Sequence, residues 1–169
     1  MYRRNYELRA KINGRQVGGL AVPYDTPTTI YGEVERIDPG AFTASLKSNS
    51  DILLLADHDP SRLLARSRNG GLELDSRADG LHFNARLVET TAADDALSLV
   101  RSGDAGGVSI GFRPKRWRPI EGGRALEEGE LVELSIVSAF PAYSDTSVSP
   151  RARELRWRYC HIPGRRRQW

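Results

Sequence analysis

Three residues of this chain have the side-chain types that nucleophilic acyl transfer requires: Ser109, His58 and Glu133. A serine hydroxyl is a weak nucleophile until a neighbouring imidazole takes its proton. The imidazole is in turn held in the working tautomer by a carboxylate, which also stabilises the imidazolium. Ser109 lies in Gly106-Gly107-Val108-Ser109-Ile110-Gly111-Phe112. There Val108, Ile110 and Phe112 alternate with Ser109 and Gly111, the period of a half-buried strand. Glycine weakens a strand interior unless a ligand or another backbone must come close, and a substrate peptide approaching Ser109 is one such reason. A core strand with a solvent-facing serine accounts for the same stretch.

His58 follows the continuous apolar run Asp51-Ile52-Leu53-Leu54-Leu55-Ala56, which reads as a buried strand. It sits in Asp57-His58-Asp59-Pro60, where that strand surfaces. This placement suits a catalytic base and equally suits a surface histidine in a polar turn. Glu133 falls in the middle of Glu130–Val137, the last long strand. An inward carboxylate there needs a partner; an outward one is a surface charge. Asp59 competes with Glu133 for the role beside His58. Neighbours in an extended segment point to opposite sides, however, which argues against Asp59. His82 lies within a strand and reads as structural.

The elements that must position these residues punctuate the chain as short apolar runs between glycines and prolines, a β-rich pattern. Tyr6–Ile12 and Gln16–Val22 read as strands joined at Asn13-Gly14, a tight-turn dipeptide, with a bulge at Gly18 and Gly19. Tyr31–Ile37 is a short strand, and Ala41–Leu46 a short helix with Phe42 and Leu46 on one face. Leu72–Asp75 and Leu81–Val88 form a hairpin. Thr91–Arg101 is the clearest helix: Thr91 caps it, Asp94 and Asp95 suit its positive end, and Gly103 stops it. Pro114–Gly123 reads as a basic loop carrying Trp117, a substrate wall or a partly buried aromatic.

Composition bounds the answer. The chain has 169 residues, 39% hydrophobic and 28% charged, as in one soluble domain with a real core. The single cysteine, Cys160, excludes an internal disulfide and fits a reducing compartment. No run reaches membrane-spanning length, and Met1–Gly14 lacks the apolar core of a signal peptide. No metal or organic cofactor is implied. The net charge of +3 conceals an asymmetry. From Arg151 onward there are seven arginines and one glutamate, leaving 18 basic and 21 acidic residues before it. We therefore divide the chain into a mildly acidic body, residues 1–150, and a basic tail, residues 151–169. Clustered arginines bind phosphates unselectively, so any nucleic-acid contact is expected through the tail.

Taken in order, several of these segments resemble the tailed-phage prohead maturation protease family, itself distantly similar to the herpesvirus capsid assembly protease. The matching features run over roughly residues 5–150. They are Ala21-Val22-Pro23-Tyr24, Ile37-Asp38-Pro39-Gly40-Ala41-Phe42, the strand ending in His58-Asp59, the Ser109 strand, and Glu133-Leu134-Ser135-Ile136-Val137 with Pro141-Ala142 behind it. Tyr143 departs from the pattern, which more often has a small polar residue there. The resemblance implies a serine endopeptidase with Ser109 as nucleophile, His58 as base and Glu133 as third member. It implies a β-rich α+β fold, a compact closed β-barrel ringed by a few helices, as in the herpesvirus assemblin. The substrates would be scaffold segments of capsid protein, cut inside the assembling prohead in the host cytoplasm, with self-cleavage, and the assembly admits a homodimer. Backbone N–H groups must hold the developing oxyanion; Arg113 and the Gly106-Gly107 pair are candidates for that role.

Two other readings compete. Gly107-Val108-Ser109-Ile110-Gly111 fits the G-x-S-x-G pattern of α/β-hydrolases, with Asp145 and His161 in triad order. A helix should then follow the serine, whereas the strand period continues to Phe112. The other is a non-catalytic capsid- or scaffold-binding module on the same fold.

Overall fold

The structure, a computed structural model, describes residues 1–6, 11–30, 32–48 and 51–138. The expectations that rest on Tyr143, Asp145, Cys160, His161 and the tail lie outside these residues. In chain order the strands are β1 (Tyr2–Tyr6), β2 (Lys11–Asn13), β3 (Gln16–Pro23), β4 (Thr28–Ile30) and β5 (Glu33–Ile37). Helix α1 (Thr43–Lys47) precedes β6 (Leu53–Ala56), β7 (Asp59–Arg66), β8 (Leu72–Ser76) and β9 (Gly80–Arg86). Helix α2 (Thr91–Ser102) leads into β10 (Gly107–Ile120) and β11 (Gly123–Val137).

The described strands form two sheets rather than the single closed barrel expected. One has seven strands and follows β1-β10-β11-β5-β4, with β6 and β7 branching from β11; the other has the order β2-β3-β9-β8. Where the sheets meet, isolated backbone bonds such as Val88 N–H to Leu64 C=O at 2.8 Å and Asp25 N–H to Ile37 C=O at 3.0 Å stand in place of a ladder. Side chains join them instead. Val17, Val22, Leu81 and Phe83 of the smaller sheet share one core with Leu54, Leu64, Val108, Ile110, Phe112 and Leu134 of the larger.

β11 is the organising strand. β10 runs antiparallel along one edge, pairing Gly107 with Val137 at one end and Ile120 with Gly123 at the other. The opposite edge is shared by two short parallel strands, β5 against Gly123–Leu126 and β6 against Glu133–Ile136. Because side chains alternate, Val108, Ile110, Phe112, Leu134 and Ile136 enter the core between the sheets. Ser109, Gly111, Glu133 and Ser135 then share the other face.

Several sequence expectations shift. The segment Pro114–Gly123 is not a loop, because β10 continues through Ile120 and Gly122 makes the turn with φ +72°. Beyond Phe112 this part of β10 has lost β1 and pairs only with β11, so Pro114 and Pro119 stand on an edge strand, where proline is tolerated. Trp117 is half-buried, with Tyr2 at 6.1 Å and the Arg124 guanidinium 4.2 Å over its ring. The first strand begins at Tyr2, and its pairing with β10 explains why: Tyr2 stacks on Phe112 at 5.8 Å. In β3 the irregularity lies between Leu20 and Val22, not at Gly18-Gly19. Thr90, rather than Thr91, caps α2, its hydroxyl accepting from Ala93 N–H at 3.4 Å. The αL glycine Gly103 ends that helix as expected.

Candidate active site

His58 sits in a two-residue connection. β6 ends at Ala56 and β7 begins at Asp59, and these two residues are cross-strand partners. Asp57 (φ 50°) and His58 (φ 62°) between them both occupy the left-handed region. Positive φ at both positions is the mark of a type I′ hairpin turn, which favours Asn-Gly or Asp-Gly. A side chain larger than glycine costs roughly 1–2 kcal/mol in this region. The turn therefore holds its histidine at a position where glycine would be more comfortable.

What the turn achieves is a contact across 75 residues. His58 Nδ1 lies 2.8 Å from Glu133 Oε1. Both side chains are mostly removed from solvent, the imidazole 14% and the carboxylate 4% exposed. Glu133 thus points inward and has the partner that an inward carboxylate requires. Ser135 donates its hydroxyl to Glu133 Oε2 at 3.4 Å, and Arg3 Nε of β1 stands 3.4 Å from Oε1. Burial pushes the Glu133 carboxyl upward, but the His58 hydrogen bond and the charges of His58 and Arg3 outweigh it and hold the group below the ordinary glutamate range. Asp59 does not compete for His58: its carboxylate accepts from Ser61 N–H and Oγ–H. His82 pairs with Asp79 at 3.0 Å.

Gly111 explains how the carboxylate fits. It is the cross-strand partner of Glu133. A Cβ at Gly111 would lie 2.6 Å from Glu133 Cγ and 2.7 Å from Oε1. The glycine makes room for the buried glutamate, so the close approach expected in this strand is made by a side chain of β11.

Ser109 is the partner of Ser135 in the same ladder. One step of two residues along β11 separates that pair from Glu133, and diagonal neighbours on one face are roughly 7–8 Å apart. Ser109 is fully buried, and its hydroxyl is the one buried side-chain polar atom among the described residues that has no hydrogen-bond partner. The structure thus brings His58 and Glu133 into contact and sets Ser109 on the face that carries Glu133, without a hydrogen bond between Ser109 and His58. Of the oxyanion candidates, Gly106 N–H is engaged by Val137 C=O at 2.8 Å, and the Arg113 guanidinium, as distinct from its backbone N–H, pairs with Glu130 at 2.9 Å.

Sequence reasoning did not single out Arg3, Asp57 or Ser135 as parts of this neighbourhood. Ser135 had a signal, since it lies two residues beyond Glu133 and so on the same face of a strand. Asp57 had one too: it opens the polar segment Asp57-His58-Asp59-Pro60 that ends an apolar strand, a place where a turn is expected. Arg3 had none.

No curated protein matches the sequence. Among solved structures, that of the bacteriophage T4 capsid assembly protease, gp21, is similar in fold, with a TM-score of 0.61 at 12% identity over 82% of this chain and 97% of that one. The model of the caudovirus prohead serine protease family matches residues 4–157. That match takes in the turn, both long strands and, apart from Arg3, the residues gathered around Glu133: the chain belongs to the caudovirus prohead serine proteases, enzymes of capsid maturation.

Proposed function

We propose that Ser109, His58 and Glu133 are the nucleophile, general base and orienting carboxylate of an endopeptidase that trims scaffold segments of capsid protein inside the prohead. The observation that carries this reading is the His58 Nδ1–Glu133 Oε1 contact of 2.8 Å on the sheet face shared with Ser109. With Nδ1–H donating to Glu133, Nε2 is the nitrogen free to accept a proton. Ser109 Oγ attacks the scissile carbonyl as His58 Nε2 takes its proton. The imidazolium then protonates the leaving amine, and water, deprotonated by the same imidazole, hydrolyses the acyl-serine. Glu133 transfers no proton; it fixes the ring and stabilises its charged form.

The same proposal extends to self-cleavage, to a distant kinship with the herpesvirus assemblin, and to residues 151–169 as a basic segment separate from the catalytic body. A chain ending at Pro150 then folds and cleaves peptide substrate but enters proheads poorly. Its failure to fold would move the boundary. Full burial of Ser109 favours one other reading, an assembly module that has kept the fold without the chemistry. Co-expression with the capsid and scaffold proteins decides. The proposal expects trimmed scaffold from the parental chain and intact scaffold from Ser109→Ala; a module leaves scaffold intact with either chain.

A further inference from the structure

Resting on that reading of His58, we propose that Asp57 is a positioning residue, anchoring the turn that carries the base to the same strand that carries its carboxylate. Asp57 N–H donates to Ile136 C=O at 2.9 Å, continuing the parallel β6–β11 ladder one residue past Ala56. Its Oδ1 accepts from Ser138 N–H and from Ser138 Oγ–H, both at 2.8 Å. Its Oδ2 accepts from Arg62 Nη1 at 3.0 Å, the next strand of the hairpin. Backbone and side chain of this one residue therefore grip the end of β11 and the residue that follows it, while Arg62 ties β7 to the same point.

The consequence falls on His58, the next residue. A histidine in the left-handed region can leave it by turning one pair of dihedrals, and the ring would swing away from Glu133. With Asp57 gripped at three points the dipeptide cannot turn, and the spacing between Nδ1 and Oε1 is set from a single strand. Asp57 itself does not touch the imidazole. Burial pushes its carboxyl up, but the Ser138 hydrogen bonds and the Arg62 charge outweigh this and hold it below the ordinary aspartate range, so it serves only as an acceptor.

The test compares Asp57→Asn, Asp57→Gly and Asp57→Ala in the full chain. Asparagine keeps an acceptor for Ser138 and tolerates positive φ; glycine loses the acceptor and is at ease at positive φ, so it separates loss of the anchor from the backbone strain of about 1–2 kcal/mol that Asp57→Ala retains. The readouts are the second-order rate of Ser109 labelling by a fluorophosphonate, the kcat and KM of peptide cleavage, and the downfield proton resonance of His58 Nδ1–H. We expect Asp57→Gly to slow labelling and kcat by about tenfold to 10²-fold, the scale of a misplaced catalytic group, with KM little changed and the resonance shifted or lost. Asp57→Asn should stay within about fivefold of the parent, the worth of its exposed Arg62 pair, with the resonance in place. Parental rates and an unmoved resonance in Asp57→Gly would overturn the anchoring role, as would equal losses in the glycine and asparagine variants. A parental protein that is itself not labelled at Ser109 would instead defeat the assignment of the nucleophile.

Discussion

Gly111→Ala adds one methyl group, and its effect follows from the packing around Glu133. The new Cβ would lie 2.6 Å from Glu133 Cγ and 2.7 Å from Oε1, the oxygen that His58 Nδ1 contacts at 2.8 Å. Carbon atoms rest at roughly 3.5–4.0 Å, so Cγ must withdraw by about 1 Å. The intruding neighbour is a side chain, not backbone, so the fold can absorb the change. Overpacking of this kind costs about 1–3 kcal/mol, or some 2–4 °C of melting temperature per kcal/mol for a chain of this size. The hydrogen bond has no such latitude: a 2.8 Å contact lengthened by about 1 Å is no longer one. A misplacement of that size costs about 10²-fold in rate, rising toward 10⁴-fold if the carboxylate ceases to hold the tautomer. The assay is peptide cleavage by the purified variant beside its thermal melt. The expected result is a folded protein with kcat reduced at least 10²-fold and KM little changed. A folded Gly111→Ala protein within about threefold of parental kcat, far short of that loss, would refute the reasoning that this glycine exists for the glutamate.

Glu133→Gln should slow cleavage less than His58→Ala, because the carboxylate orients and stabilises whereas the imidazole moves the proton; equal kcat values for the two variants would contradict this. His58→Gly should melt above His58→Ala. Both lose the Glu133 contact, but only glycine is at ease at φ 62°, a difference of about 1 kcal/mol; an equal or lower melting temperature for the glycine variant would remove the strain argument. Stability should fall with acid. Glu133 and Asp57 have folded-state pKa values below the ordinary ones, so their contribution is present above about pH 4.5 and is lost as pH drops through the unfolded values of about 4 toward the folded ones. Thermal melts from pH 7 to pH 3 should fall less steeply for Glu133→Gln than for the parent, and parallel curves would show that Glu133 contributes none of the acid lability.

What could be read from the sequence was whatever local alternation encodes. Val108–Phe112 and Glu130–Val137 carry the strand period plainly, and they place Glu133 in mid-strand without deciding whether it faces inward or outward. The apolar run through Ala56 placed His58 at a strand end. What could not be read was set by neighbours distant in sequence. Pro114 and Pro119 mimic a loop because proline is read as a breaker, and only the edge position of β10 makes them acceptable. Gly111 invited a substrate-based explanation because the glutamate above it is 22 residues away. Asp59 was set aside for its extended geometry; in fact Asp57 and His58 are left-handed, and Asp59 is occupied by Ser61. The two-sheet arrangement depends on which strands hydrogen-bond, information that no local pattern holds.

The central claim is that Ser109 is the nucleophile, although it is buried and has no hydrogen-bond partner, while a second buried serine, Ser135, stands directly opposite. Fluorophosphonate treatment of the full chain, followed by peptide mapping in a mass spectrometer, tests that claim most directly. The account predicts a single adduct on Ser109, absent from His58→Ala. An adduct on Ser135, or labelling of Ser109 that is as fast without His58 as with it, would contradict it.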